Sequence, residues 1–286
     1  MDSALGARST DGFRPNFPRL LLLPSHRMAG PRIPPMKAIS DTAGHIKFDT
    51  IVVGSGNAGS SAALSAIENG CKHVLLIDKC PPEWIGGNGY FTAGAYRTVH
   101  GGLSDILDIV PNVIPELAAT IDMEPYTHEQ FTRDIMRLSD ERSDPALVKA
   151  LVDGSHDTIL WLSKRIRIPF ILSFNRQAYL VDGRQKFWGG MVLAVEDGGE
   201  GLITAYHRAL KECGVEVWFN TEAIDLVSSN ERVSGLKVKK GDQVLILETA
   251  SVVLASGGFE ASRKMRHRNL GSEWVNARVC LLFLRS

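Results

Sequence analysis

The apolar positions change period several times along the chain, and each change marks an element. FDTIVVG, residues 48–54, is a run rich in β-branched residues and reads as a strand. NAGSSAALSAIENG follows as a helix of small residues stopped by Gly70, and HVLLID as a second strand. Residues 48–78 therefore form a βαβ unit. A glycine-rich loop, IGGNGYFTAGAYR, occupies 85–97. Residues 126–168 read mostly as helix. Pro145 directly after Asp144 is a first-turn signal, and Leu147, Val148, Leu151, Ile159, Leu160 and Leu162 recur at helical intervals.

Residues 169–198 are mixed, and loop with a short strand or two is expected there. GEGLITAYHRALKECG is an amphipathic helix ended by Gly214, and VEVWFN is the strand after it. EAIDLVSS, RVSGLKVKK and QVLILETA read as short strands, with Gly241 and Asp242 turning between the last two. A further strand, SVVLA, runs into SGGFE. The expected fold class is α/β. A Rossmann-like, mainly parallel sheet spans 48–78 and 215–258, a smaller antiparallel sheet 223–249, and a helical face 126–168. The domain limits expected are 1–46, 47–260 and 261–286.

Residues 1–46 differ from the rest. They hold Arg8, Arg14, Arg19, Arg27 and Arg32, with Asp2 and Asp11 the only acids before Asp41. Six prolines, at 15, 18, 24, 31, 34 and 35, forbid a long helix. A disordered tail and an organelle transit peptide both fit this composition. The expected compartment is the cytoplasm, or the mitochondrion if the segment is a targeting sequence.

Lys plus Arg equals Asp plus Glu at 32 each, so no broad basic field suggests nucleic acid as a partner. No stretch approaches the ~20 apolar residues of a membrane span. Cys71, Cys80, Cys213 and Cys280 lack the paired spacing of a metal site or a disulfide framework, so neither is expected.

The first chemical signal is GSGNAG. Gly54, Gly56 and Gly59 stand between strand and helix in the GxGxxG pattern. Gly54 permits the tight turn, Gly56 lets backbone approach a pyrophosphate, and Gly59 lets the helix lie close to the strand. The helix N-terminus aims unpaired N–H groups at the anion. Asp78 ends the second strand, where an acid is expected to accept bonds from a ribose diol.

The loop alone does not choose between nucleotides. Taken in order with WIGGNGYFTAG and SVVLASGGFE, it resembles the flavoprotein subunits of fumarate reductase and succinate dehydrogenase. The resemblance covers roughly 48–278 and implies FAD, held non-covalently because no His lies in the 85–95 loop. It implies that Gly54, Ser55, Gly56, Asn57, Ala58 and Gly59 surround the pyrophosphate, with Asp78 and Lys79 flanking the adenosine ribose. Gly86, Gly87, Asn88 and the run to Gly94 would pass along the pyrophosphate and the flavin ring. Ala223 would meet adenine through its backbone, and Ala255, Ser256, Gly257 and Gly258 would close near the ribityl chain.

The family moves a hydride between flavin and a carbon–carbon bond of a di- or tricarboxylate. Its carboxylate-binding groups come mostly from a capping domain after the third glycine motif. This chain stops soon after Gly258, and VCLLFLRS does not match the family, so the capping domain is expected to be absent. A truncated product, weak or no FAD binding and little turnover follow as expectations. No catalytic residue stands out. Arg263, Arg266, His267 and Arg268 read as a solvated basic run, His156 and His207 as structural, and His100 as solvent-exposed. Two rival readings remain: a non-catalytic nucleotide-binding or interaction module, and an NAD-dependent dehydrogenase. The oligomeric state is left open.

Overall fold

A computed structural model describes residues 47–229 and 231–277. Strand β1 (Lys47–Val53), helix α1 (Asn57–Glu68) and strand β2 (Val74–Ile77) make the expected βαβ unit, with β1 and β2 parallel. Next come β3 (Ala95–Tyr96), short helices α2 (Leu103–Leu107) and α3 (Pro115–Ala118), and β4 (Ile121–Met123). Helix α4 (His128–Leu138) opens on a capping box between Thr127 and Gln130. Helix α5 (Pro145–Trp161) opens where the Asp144 carboxylate accepts from the N–H groups of Ala146 and Leu147. The stretch 169–198 holds more strand than its mixed composition suggests: β5 (Phe170–Leu172), β6 (Ala178–Val181), β7 (Arg184–Phe187) and β8 (Leu193–Val195), with the short helix α6 (Phe174–Gln177). The chain continues through α7 (Gly198–Glu212), β9 (Glu216–Trp218), β10 (Thr221–Ser229), β11 (Arg232–Lys240), β12 (Gln243–Leu254) and α8 (Arg263–Leu270).

The main sheet has the order β10-β11-β12-β1-β2-β9. Its β12-β1-β2-β9 part is parallel, and β10-β11-β12 is an antiparallel meander. The two parts meet in β12, so QVLILETA and SVVLA are one strand rather than two. Gln243–Glu248 pair with β11, and Glu248–Leu254 pair with β1. No Gly or Pro interrupts this run, and the polar residues in its middle mark a change of partner. Two three-stranded sheets, β3-β8-β5 and β4-β7-β6, are built from the chain between β2 and β9.

The alternation of β1 explains the layers. Val52 joins the core that includes Ala63 and Leu64 of α1, Leu202, Tyr206 and Leu210 of α7, and Ile159 of α5. Ile51 and Val53 face the other way, in a cluster with Leu236, Val238 and Leu247 of the meander that Phe48, at the start of the strand, also joins. Burying a side chain such as Leu64, 1% exposed, contributes about 1.5–3 kcal/mol. In α5 the buried face is Val148, Val152, Ser155 and Ile159, while Leu147 and Leu151 are exposed. The sequence places apolar residues at adjacent positions 147/148 and 151/152, so spacing alone does not select the inner one.

Residues 1–46 and the segment VCLLFLRS, with the expectations attached to them, lie outside the described residues. Among the described residues, no helix is long and apolar enough to cross a membrane.

Candidate functional site

In an open α/β sheet, ligands bind beyond the carboxyl ends of the strands, where neighbouring connections lead away in opposite directions. Here that point is the end of β1. From it the chain passes through α1 to β2 on one side, while β12 flanks β1 on the other. The glycine clusters of the sequence meet at this point. Ala255 donates its N–H to the Val53 carbonyl at 2.8 Å, extending the parallel pairing to the mouth of the first loop. Gly54 has φ +106°, and a Cβ there would lie 2.5 Å from the Ala255 carbonyl oxygen. A Cβ on Gly59 would lie 1.8 Å from the Gly54 carbonyl oxygen. These two glycines let strand, helix and third cluster touch.

The second cluster is tied in through Ser55, which is 1% exposed. Its N–H and Oγ donate to Asp78 Oδ2 at 2.8 and 2.5 Å, and the Gly86 N–H donates to the same hydroxyl at 3.3 Å. Asp78 Oδ1 accepts from the Cys80 N–H at 2.9 Å. A carboxylate offers about four lone-pair directions, so roughly one remains for a ligand. The acid is first a brace for the loop, which sequence spacing does not reveal. Asn88 Nδ2 reaches Glu260 Oε1 at 3.4 Å, linking second and third clusters. Gly94 packs against Gly198 at the start of α7, and the Gly199 N–H donates to the Thr92 carbonyl at 2.9 Å. The run GGEG at 198–201 is thus a fourth glycine cluster, legible as a motif but not assigned to the site beforehand.

The remaining positions lie along the same edge. Lys79 is exposed beside Asp78, and Ser256, Gly257 and Gly258 are exposed beyond β12. Ala223, in β10 opposite Val238, follows Thr221, whose N–H donates to the Asp78 carbonyl at 2.9 Å. Ala58 is exposed in the first turn of α1.

The residues fit a dinucleotide phosphate. A Cβ on Gly56 would meet only the Gly86 carbonyl oxygen, at 3.6 Å, and one on Gly87 or Gly257 would meet nothing within 4 Å. All three clusters therefore present bare backbone to open space. The first turn of α1 contains no acid and the N-cap Gly56 makes no side-chain cap, leaving the N–H groups available to an anion.

Two residues read as solvent-facing are buried. His100 is 5% exposed: its Nε2 faces the Gly189 carbonyl and its Nδ1 accepts from the Gly102 N–H. Burial holds its pKa below the usual imidazole range. Arg266 is 4% exposed and donates to the carbonyls of Glu260, Trp274 and Val275. It staples the segment after the third cluster, because one planar guanidinium satisfies several carbonyls at once. Arg97 is partly buried over the rings of Tyr126 and Phe131, bonded to Tyr126 and paired with Asp134.

Together the sheet order and the bare glycine groove define a dinucleotide-binding α/β domain. The family model of the FAD binding domain matches residues 116–281, more than half of the chain. The chain belongs to this family, that of the fumarate reductase and succinate dehydrogenase flavoproteins. It is 30% identical over 222 residues to the fumarate reductase (cytochrome) of Shewanella frigidimarina, covering 76% of this chain and 34% of that protein. It is 25% identical over 220 residues to the NADH:fumarate oxidoreductase of Klebsiella pneumoniae (strain 342), covering 76% of this chain and 21% of that one. Among solved structures, the open conformation of a flavocytochrome c3 fumarate reductase superposes with a TM-score of 0.58 and 26% identity, over 78% of this chain and 36% of that chain. The chain thus spans about a fifth to a third of the known relatives it matches.

Proposed function

We propose that residues 47–260 bind FAD non-covalently, as the dinucleotide domain of an oxidoreductase that reduces or forms a carbon–carbon double bond in a small di- or tricarboxylate. The observation that carries this reading is the meeting of the glycine clusters at the ends of β1 and β12, with bare backbone at Gly56, Gly87 and Gly257. The N–H groups of Gly56, Asn57, Ala58 and Gly59 at the mouth of α1 would receive the pyrophosphate, oriented by the helix dipole. Asp78 would offer its remaining lone pair to the ribose, with Lys79 beside it. Gly86, Gly87, Asn88 and Gly94 would line the path toward the ring, Ala223 the adenine, and Ala255 to Gly258 the ribityl side. Bound FAD supplies a two-electron carrier that exchanges hydride with carbon.

This chain's own residues would bind and orient, and turnover by the chain alone is expected to be low. Arg97 is engaged by Tyr126 and Asp134, and Arg266 is spent on three carbonyls, so neither is poised to clamp a carboxylate. The unbridged Cys71, Cys80 and Cys213 suit a reducing compartment such as the cytoplasm. Calorimetric titration of the purified 286-residue chain with FAD, with NAD as the competitor, tests the reading. Weak but saturable FAD binding that NAD does not displace is expected. Tight NAD binding with no FAD binding would overturn it.

A further inference from the structure

At the mouth of α1, Asn57 is held in a way that backbone capping does not require. Its Oδ1 accepts from the Tyr206 hydroxyl at 2.8 Å and from the Tyr96 hydroxyl at 3.4 Å. The Tyr206 hydroxyl also bonds Ser61 Oγ at 2.8 Å, one turn along the same helix. Tyr206 lies in α7 and is 1% exposed; Tyr96 lies in β3, its ring edge-on to buried Phe170 with centroids 5.2 Å apart. Two separate elements, α7 and β3, therefore converge on one amide oxygen of a third, α1. Burial pushes the Tyr206 phenol up to about 12 and raises that of Tyr96 as well, so both stay protonated and able to donate at any physiological pH.

An amide whose oxygen is occupied on its inner side has its nitrogen turned outward. Asn57 is exposed, and a Cβ on Gly89 of the second cluster would come within 3.9 Å of the Asn57 Cβ, so the amide stands between the first and second glycine clusters. Two N–H donors are thus presented where the groove is lined by bare backbone. Side-chain donors of this kind confer direction that a helix dipole lacks, because they act only over hydrogen-bond distances.

We propose that Tyr206 and Tyr96 are positioning residues that fix the Asn57 amide with its nitrogen facing the groove, making it a side-chain donor to the pyrophosphate of a bound dinucleotide. The proposal rests on the site reading given above and adds to it the source of the donor's orientation. A purely structural network would stabilise α1 and leave ligand affinity alone. A positioning network loses its effect on affinity once the amide is gone.

The test is a double-mutant cycle on the full chain, read by FAD and ADP titration and by thermal unfolding of the ligand-free protein. Tyr206→Phe is expected to weaken FAD binding about three- to tenfold in the parent chain, and not at all in the Asn57→Ala background. Tyr96→Phe should behave the same way with a smaller effect, matching its longer bond, and serves if Tyr206→Phe does not fold. Asn57→Asp keeps an acceptor for both tyrosines and should leave the ligand-free melting temperature unchanged or raised, while weakening FAD and ADP binding at least tenfold. Additive effects of Tyr206→Phe and Asn57→Ala, or undiminished binding by Asn57→Asp, would overturn the positioning role while leaving the FAD site standing. Failure of the parent chain to bind either FAD or ADP would overturn the site and this inference together.

Discussion

Gly56 and Gly59 stand three residues apart in one motif, yet the structure assigns them opposite consequences on substitution. Gly56 has φ −69° and ψ −176°, extended backbone that alanine adopts freely. Its added Cβ would make one ordinary contact, 3.6 Å from the Gly86 carbonyl oxygen. Alanine is a poorer N-cap than glycine by about 0.5–1 kcal/mol. Restriction of the unfolded chain returns about 0.4–1 kcal/mol, so the two terms nearly cancel. At about 2–4 °C per kcal/mol for a chain of this size, the melting temperature of Gly56→Ala should stay within roughly 4 °C of the parent. Its methyl, however, fills the space through which a phosphate would approach the α1 amides. Losing two charge-assisted hydrogen bonds, at the low end of about 1.5 kcal/mol each, costs about 3 kcal/mol, or roughly a hundredfold in Kd. Gly59→Ala places a methyl 1.8 Å from the Gly54 carbonyl oxygen, so α1 must move off the strand at a cost of about 1–3 kcal/mol. Differential scanning calorimetry of the ligand-free chains, paired with FAD titration, separates the two. A Gly56→Ala chain that binds FAD as tightly as the parent would refute the assignment of that space to the ligand.

Four further outcomes follow from the geometry. Ser55→Ala removes the hydroxyl that Gly86 donates to and that bonds Asp78, and should destabilise the chain by about 1–3 kcal/mol in urea unfolding. Arg266→Ala should leave the core melting transition in place while accelerating hydrogen exchange and proteolysis across residues 260–275, whose carbonyls it holds. His100 is kept neutral by burial, so the unfolded chain takes up its proton first. Stability should therefore fall as pH drops below the unfolded value of about 6.5, and His100→Gln should flatten the slope between pH 7 and 5. Asp49 and Asp134 are held below the carboxylate range, by backbone N–H groups and by Tyr126 respectively. Their stabilisation is present above about pH 4 and lost only at lower pH, a slope His100→Gln should not touch.

The βαβ unit was legible because FDTIVVG, NAGSSAALSAIENG and HVLLID each carry one period and one stop signal. The meander was legible too, but its union with the parallel sheet was not, since a strand that changes partner keeps the same alternation. In 169–198 the hairpin of β6 and β7 turns on Asp182 and Gly183, both at positive φ, a local Asp-Gly signal that the sequence does carry. β7 also pairs with β4, Gln185 with Ile121, and β8 with β3, Leu193 with Tyr96, pairings that no local pattern announces. At the site, glycine positions mark where backbone must come close, and those converge. Side chains that act through their partners leave weaker traces. The Ser55 brace, the tyrosines around Asn57 and the carbonyl staple of Arg266 each depend on a neighbour supplied by another element.

The pairing of β1 with β12 joins Lys47 to Glu248 and Val53 to Leu254. On a ribosome, the first strand therefore waits through some two hundred residues of synthesis before the neighbour that completes its edge emerges. Until then the GSGNAG loop has no third wall, and the β-branched face of β1 is available to other chains. Slow acquisition of this long-range parallel pair should dominate refolding kinetics, and dinucleotide added early should not hasten it.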